Sequence, residues 1–270
     1  MHRLFLTFNK SWNGASDWLL GGRGQAISVL VLLMTHAGLL AYSATRHSPT
    51  FLEPAFLASG ISHWEFGRFE LYRVNPPLVR MVAALPVLAV GRETNWSQFY
   101  DGPGSRAEFP AGAAWIKANG RQSIPLLFYA RWACIPFSLI GAYFAYRWAN
   151  ELYGNGAGLV TLFIWTFEPN LLAHAELITP DCACWSFGVL AGYTFWRWLK
   201  RPTWTRAGLA GLSLGLAELS KMSWLILFGL WPALWLTWRW LAERNYGRRR
   251  EYVVRFARQA SDHIIHVQNR

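Results

Sequence analysis

The chain has 270 residues, of which 53% are hydrophobic and only 15% are charged. A soluble domain carries about 25% charged residues, so this sequence lacks the polar side chains that would cover a globule. The net charge is +11, but the basic residues are spread between apolar runs, with no basic groove and no nucleic-acid motif. The 3 cysteines form neither a disulfide framework nor a zinc site. Composition therefore excludes a disordered chain, a secreted mini-protein, a nucleic-acid partner and an ordinary soluble enzyme, and predicts a multispanning membrane protein.

Apolar segments long enough to cross a bilayer, about 20 residues each, recur along the chain. The stretch 207–241 is too long for one span and is interrupted by Glu218, Ser220 and Lys221, which predicts a hairpin of two spans. The other predicted spans lie at residues 26–44, 126–148, 157–172 and 182–199. The predicted fold class is therefore an all-α polytopic membrane protein with about six transmembrane helices.

The placement of Lys and Arg predicts the orientation. Most of them fall on inner segments if residues 1–25 and a basic tail at 242–270 are both cytoplasmic, as the positive-inside rule requires. The remaining large segment, 45–125, then becomes one outer loop that faces away from the cytoplasm. Within it, residues 78–91 are apolar but too short to span, which predicts a short amphipathic helix that lies on the outer leaflet or against the bundle. We expect a protein of the plasma (inner) membrane that also contacts membrane lipid.

Several charged side chains converge on the outer ends of the predicted spans, and charges near hydrocarbon are functional candidates. The acids are Glu53, Glu65, Glu70, Glu168, Glu176, Asp181 and Glu218. The cations are Arg73, Arg80, Arg131 and Lys221. Cations of this kind hold phosphate, and a carboxylate can take a proton from a hydroxyl or amine.

Simpler interpretations stand beside this one. Glu218 and Lys221, three residues apart, could be an interface pair, and Arg131 could be an interface anchor. His63 and His174 could be ordinary polar loop residues, and whether the acids and histidines hold a divalent metal stays open. On the residues alone, an enzyme and a transporter are equally open.

Three stretches resemble GT-C class membrane glycosyltransferases of the protein O-mannosyltransferase and aminoarabinose-transferase type. They are LEPAFLASG with the following HWEFGRFELYRVNPPLVRMVAALPVL, then YARWACIPFSLIGAYFAYRWANELYG, and then EPNLLAHAELITPDCACWSFGVLAGYTFWRWL with GLAGLSLGLAELSKMSWLIL. The resemblance covers nearly the whole chain but only the N-terminal half of such enzymes. It implies a polyprenyl-phosphate-linked sugar donor and a protein, lipid or glycan acceptor at the outer face.

The resemblance also implies roles for particular residues. The catalytic candidates are Glu53, which matches the Glu of the family's Asp-Glu pair, and Asp181, which matches the acid before the fourth span. The residues implied for the donor phosphate are Arg80, Arg131 and Lys221. The residues implied for the acceptor, or for supporting the site, are Glu70, His174 and Glu176.

Leu52 stands where the family has the Asp of that pair, and Phe56 replaces a position that is often His. Either Glu53 has taken the role of base, or the chain binds its lipid without turning it over. We therefore keep two hypotheses: a GT-C-like glycosyltransferase or the N-terminal half of one, and a catalytically silent lipid-binding or assembly subunit of an envelope glycosylation system. A small transporter ranks last, because the acids gather at one end of the bundle and not at mid-membrane depth.

Overall fold

The computed structural model describes residues 21–99 and 106–244. The predicted N-terminal segment up to residue 20 and the basic tail from residue 245 lie outside the described residues. The described residues are helical with no strand, which confirms the predicted all-α class. The helices are α1 Gly22–Ser43, α2 Glu53–Phe66, α3 Leu78–Val90, α4 Glu108–Asn119, α5 Ser123–Tyr153, α6 Asn155–Phe167, α7 Pro169–Ala175, α8 Pro180–Lys200, α9 Trp204–Ser220 and α10 Met222–Arg244.

Three segments of the described chain are long and apolar enough to cross a membrane by length and composition. They are α1, the continuous stretch Glu108–Tyr153 that joins α4 to α5, and α10. Because a helix rises about 1.5 Å per residue, the 22 residues of α1 extend far enough for a hydrocarbon layer of about 30 Å. The protein is therefore suited to a membrane, while the predicted count of about six spans is not confirmed.

Proline and glycine set several of the helix boundaries. Pro54 and Pro180 lie in the first turns of α2 and α8, where a missing N–H costs nothing. Gly67 ends α2 and Gly154 separates α5 from α6, both with positive φ angles (64° and 89°) that other residues rarely adopt. The apolar stretch around residues 204–244 is divided at Lys221, whose extended backbone ends α9 before α10 begins with a 3₁₀ turn.

One large apolar core lies between helices α2, α3 and α4 and the rest of the bundle. The buried side chains of α2, α3 and α4 pack there against α5 and α8, around Leu57, Trp115 and Leu127. α8 packs in turn on α9. Helices α2, α3 and α4 are thus folded onto the bundle, which places the polar residues of this part of the chain next to those of α5 and α8.

A buried polar cluster joins α1 to the helix pair α5 and α6. His36 is fully buried, with its Nε2 2.8 Å from the Oγ of Ser138 and its Nδ1 3.2 Å from the carbonyl oxygen of Thr166. The indole N–H of Trp165 also donates to the Oγ of Ser138, at 3.2 Å. Since a buried polar group needs partners, these bonds fix the rotation of three helices about their axes.

Candidate functional site

Polar residues from distant parts of the chain meet at one end of the bundle, which we call the mouth. It comprises the α1–α2 turn (residues 44–52) with the start of α2, the α2–α3 segment with the start of α3 (67–80), the turn before α8 (176–181), and the α9–α10 junction (221–222). Seven of the eight side chains predicted for the site lie in these segments or bond to them: Glu53, Glu70, Arg80, Arg131, Glu176, Asp181 and Lys221. The eighth, His174, lies just before the turn that leads into α8.

Glu53 and Arg131 form a buried ion pair in the mouth, and both side chains are 0% exposed. Nε and Nη2 of Arg131 donate to Oε1 and Oε2 of Glu53, each at 2.7 Å. The remaining donors of Arg131 bind the carbonyl oxygens of Ala44, His47 and Ser48. All five N–H groups of the guanidinium therefore have acceptors.

The carboxylate of Glu53 is equally occupied. Besides the two bonds from Arg131, its Oε1 accepts the backbone N–H of Ile178 at 3.3 Å and its Oε2 accepts that of Thr50 at 2.8 Å. Glu53 was predicted as a base and Arg131 as a phosphate ligand. In this structure each is fully used by the other and by the backbone, so either role requires the pair to open.

Arg80 is held differently, because its guanidinium lines a cavity. The side chain is 5% exposed, and its Nε donates to Nε2 of His63 at 2.7 Å. Its Nη1 and Nη2 donate to the carbonyl oxygens of Pro76 (3.2 Å) and Tyr72 (3.0 Å), and the guanidinium carbon lies 4.6 Å from the centre of the Tyr72 ring. Each Nη group keeps one donor beyond these bonds. Burial lowers the pKa of Arg80 to about 10, so the side chain stays cationic at neutral pH.

His63 supports Arg80 as a neutral imidazole. Its Nδ1 donates to the carbonyl oxygen of Arg68 at 2.8 Å, which leaves Nε2 as the acceptor for Arg80. Burial, and then the charge of Arg80, lower the pKa of His63 to about 4. The predicted alternative of an ordinary polar loop histidine therefore understates this residue, which is a buried partner of the cation.

The cavity beside Arg80 measures about 440 Å³ and opens at the mouth. It is lined by Phe69, Tyr72, Arg73, Asn75, Pro76, Pro77, Arg80 and Met222. A smaller cavity continues from Asn75 and Arg80 to Ile178 and Pro180, at the start of α8. The predicted Pro-Pro-Leu helix start thus forms one wall of a cavity whose buried cation is Arg80.

Lys221 and Asp181 form the other charged pair near this cavity. The Nζ of Lys221 lies 2.8 Å from Oδ1 of Asp181, with the two side chains 36% and 30% exposed. The hydrogen bond from Lys221 to Asp181 raises the pKa of the lysine. Lys221 does not pair with Glu218 as the three-residue spacing suggested, because α9 ends before it and its extended backbone turns the side chain toward α8. Lys221 directly precedes Met222, which lines the larger cavity.

The remaining predicted residues have different surroundings. Glu176 is 3% exposed and its Oε1 lies 2.6 Å from Nδ1 of His47, which the sequence did not single out. His174 is exposed, with its ring edge-to-face against Trp185. Glu70 pairs with Arg68 at 3.2 Å, and its own backbone N–H, followed by Arg68, lowers the pKa of its carboxyl.

The structure adds three residues to those predicted: His47, His63 and Asn75. Asn75 precedes the Pro-Pro pair and lines both cavities. Its place beside that pair is the one signal in the sequence that indicates it. The two histidines carry no comparable local signal, because their partners lie in other turns of the fold. Among the described residues, no group of three or more His, Cys, Asp or Glu side chains is placed to hold a metal ion.

Comparison with known proteins connects part of this arrangement to a family. Residues 124–247 match the dolichyl-phosphate-mannose-protein mannosyltransferase family. The matched range contains Arg131, Glu176, Asp181 and Lys221, and it includes α9 and α10. Glu53 and Arg80 lie outside it. No curated protein and no solved structure matches the chain. Over this part of the chain, the match agrees with the resemblance to GT-C class membrane glycosyltransferases.

Proposed function

We propose that this protein transfers a sugar from a polyprenyl-phosphate-linked donor to an acceptor at the outer face of the membrane, and that the donor phosphate binds in the cavity beside Arg80. The observation that carries the proposal is a buried guanidinium with unused donors in an open cavity of about 440 Å³, next to the Lys221–Asp181 pair. Phosphate oxygens fit such a site, because Arg and Lys donors make charge-assisted hydrogen bonds to them.

The position of the cavity fits a ligand that is part lipid and part polar. Met222 belongs both to the cavity wall and to the start of α10, a helix suited to crossing the membrane. A polyprenyl chain could therefore stay in the hydrocarbon layer while its phosphate reaches Arg80 and Lys221. Asn75, in the walls of both cavities, offers amide groups for the sugar.

The proposed chemistry needs the cations at the leaving group. The acceptor oxygen attacks the anomeric carbon, the bond between that carbon and the phosphate oxygen breaks, and the polyprenyl phosphate leaves with the electron pair. Arg80 and Lys221 stabilise the charge that develops on the phosphate. Asp181 holds Lys221 in place through Oδ1, and its Oδ2 has no hydrogen-bond partner among the described side chains and backbone.

A second candidate function rests on a specific observation. Leu52 is 40% exposed at the position where the resembling enzymes carry the Asp of their Asp-Glu pair, and the neighbouring Glu53 is fully engaged with Arg131. These features favour a subunit that binds the donor lipid but does not turn it over. The two candidates share the phosphate site and differ in sugar release.

The experiment measures donor binding and sugar release together. The purified full chain in nanodiscs is given labelled polyprenyl-phosphate sugars with a peptide, a lipid and a glycan as alternative acceptors. We expect Arg80→Gln and Lys221→Gln to weaken donor binding roughly tenfold or more, because each removes a charge-assisted contact of about 1.5–3 kcal/mol. Asp181→Asn should weaken binding less and reduce release.

Matched controls separate charge at the site from charge in general. Arg121→Gln and Lys117→Gln remove exposed cations that lie outside both cavity walls, and they should leave binding unchanged. Binding without release for every acceptor would favour the silent subunit. Equal losses in the site variants and the controls, or no donor binding at all, would refute the phosphate site.

A further inference from the structure

His47 and Glu176 form an imidazole–carboxylate pair at the rim of the mouth. Nδ1 of His47 lies 2.6 Å from Oε1 of Glu176 and 3.2 Å from Oγ of Ser43. Because Nδ1 faces two oxygen atoms, it carries the ring proton, and Nε2 then has a free lone pair. Nε2 has no hydrogen-bond partner within residues 21–99 and 106–244. The histidine side chain is 64% exposed while that of Glu176 is only 4% exposed, so a buried carboxylate orients an imidazole that faces water.

Both members of this pair are anchored by the buried Glu53–Arg131 ion pair. Nη1 of Arg131 donates to the carbonyl oxygen of His47 itself at 2.9 Å. Glu53 accepts the N–H of Ile178, two residues beyond Glu176. The turn that carries the imidazole and the turn that carries the carboxylate are therefore tied to one rigid centre, which is how a reactive geometry is held in advance.

The other acids of the mouth are paired with cations. Glu53 has no oxygen free of partners, Glu70 pairs with Arg68, and Asp181 binds Lys221 through Oδ1. An exposed imidazole oriented by a carboxylate is the arrangement found where a side chain takes a proton from a hydroxyl nucleophile. Glu176 also retains a buried Oε2 without a partner among the described residues, so its side chain is held by its hydrogen bond to the imidazole.

We propose that His47 is the general base that activates the acceptor, with Glu176 as the residue that positions it. This inference rests on the proposed glycosyl transfer, and it specifies that the acceptor reacts through a hydroxyl group. Nε2 of His47 takes the hydroxyl proton as the oxygen forms its bond to the anomeric carbon. The carbon–oxygen bond to the phosphate breaks, the polyprenyl phosphate leaves with the electron pair, and Glu176 stabilises the resulting imidazolium.

The test uses the full chain in nanodiscs and compares His47→Gln and Glu176→Gln with Lys117→Gln. Lys117 is the control, because its side chain is exposed and lines neither cavity. Removal of a general base costs roughly 10²–10⁴ in rate, so we expect His47→Gln to lower kcat at least 100-fold with the KM for the donor unchanged. Lys117→Gln should stay within about twofold of the unmodified protein, a limit set far below the effect of base removal.

Two further readouts separate chemistry from loop structure. The pH profile of kcat should differ between the unmodified protein and His47→Gln, because only the unmodified protein carries the proposed base. The charged groups that face His47 are Glu176 at Nδ1 and Arg131 at its carbonyl oxygen. Added imidazole should restore part of the activity of His47→Ala but not of Arg80→Gln.

The outcomes distinguish this inference from the proposed function. Transfer that is equal in His47→Gln and Lys117→Gln would overturn the inference and leave glycosyl transfer intact. A pH profile of kcat that changes in Asp181→Asn but not in His47→Gln would assign the base to Asp181 and overturn the inference as well. No transfer by the unmodified protein for any acceptor would overturn both.

Discussion

At the residue scale, the two buried arginines of the mouth differ in how completely their N–H groups are hydrogen-bonded. Arg131 and Glu53 satisfy each other and the backbone completely, whereas Arg80 is buried beside a neutral histidine and keeps donors for a ligand. Removing one partner of a buried pair leaves an uncompensated charge, and this costs far more than the pair itself contributes. The first arginine is therefore structural support for the turns of the mouth, and the second is available for binding.

We expect Arg131→Met to reduce the free energy of unfolding by about 3–5 kcal/mol, because it strands the carboxylate of Glu53 in the core. The double variant Glu53→Gln/Arg131→Met should recover part of this loss, since no buried charge remains. Denaturant unfolding of the protein in a fixed detergent measures both. Arg147→Met is the matched control, because Arg147 pairs with Glu151 at 3.3 Å with the side chains 38% and 27% exposed. A loss there of about 0–1 kcal/mol is expected, and an equal loss at both pairs would contradict the argument.

At the element scale, close helix contacts place the polar residues. α2 crosses α3 where Gly60 meets the backbone carbonyl of Arg80, and a Cβ at Gly60 would overlap with that carbonyl. A second contact of this kind brings Gly112 of α4 against the backbone of Pro54 and Ala55 in α2. Helices α2, α3 and α4 can approach one another only because these positions lack side chains, and the approach fixes Arg80 at the cavity wall.

We therefore expect Gly60→Ala to weaken donor binding, although Gly60 does not line the cavity. The added methyl group would overlap with backbone atoms of α3, so α3 must shift. Overpacking of this kind typically lowers the free energy of unfolding by about 1–3 kcal/mol. Gly38→Ala in α1 is the control, because its Cβ would meet nothing within 4 Å, and alanine favours a helix by up to about 1 kcal/mol over glycine. Calorimetric donor binding and thermal unfolding of the two variants give the comparison. Unchanged binding in Gly60→Ala would contradict the role of this contact.

At the scale of the whole molecule, the mouth gathers the turns that end α1 and precede α8 with the start of α10. The other end carries the α8–α9 turn with Lys200 and Arg201. The charge bias of the sequence predicts that the mouth faces outward, and the helix order is compatible with it because successive long helices alternate in direction. Sidedness is a property of the protein in its membrane, so it needs a measurement in intact cells.

We expect Arg121→Cys to react with a membrane-impermeant maleimide added to intact cells, and Arg201→Cys to react only after permeabilisation. Both positions are exposed arginines, one before α5 at the mouth end and one in the α8–α9 turn, so the pair is matched in chemistry. The native thiols Cys134, Cys182 and Cys184 are buried and should give little background. The reverse labelling pattern would contradict the predicted orientation.

The sequence by itself determined the properties that depend on local composition. Hydropathy, charge bias and the positions of Pro and Gly indicated a helical membrane protein, a break at Lys221, a short helix beginning near Leu78, and the polar residues to consider. These features depend on neighbours within a few turns, so local composition is sufficient to find them.

Only the tertiary structure decided which of those polar residues pair and which remain available. Glu53 meets Arg131 across 78 residues of sequence, and His47 meets Glu176 across 129. Lys221 reaches Asp181 and not Glu218, because the backbone turns at the end of α9. Such pairs form when packed helices bring distant turns within hydrogen-bond distance. Differences of a few ångströms then decide whether a charged side chain is fully hydrogen-bonded or keeps donors for a ligand. No local sequence pattern encodes those differences.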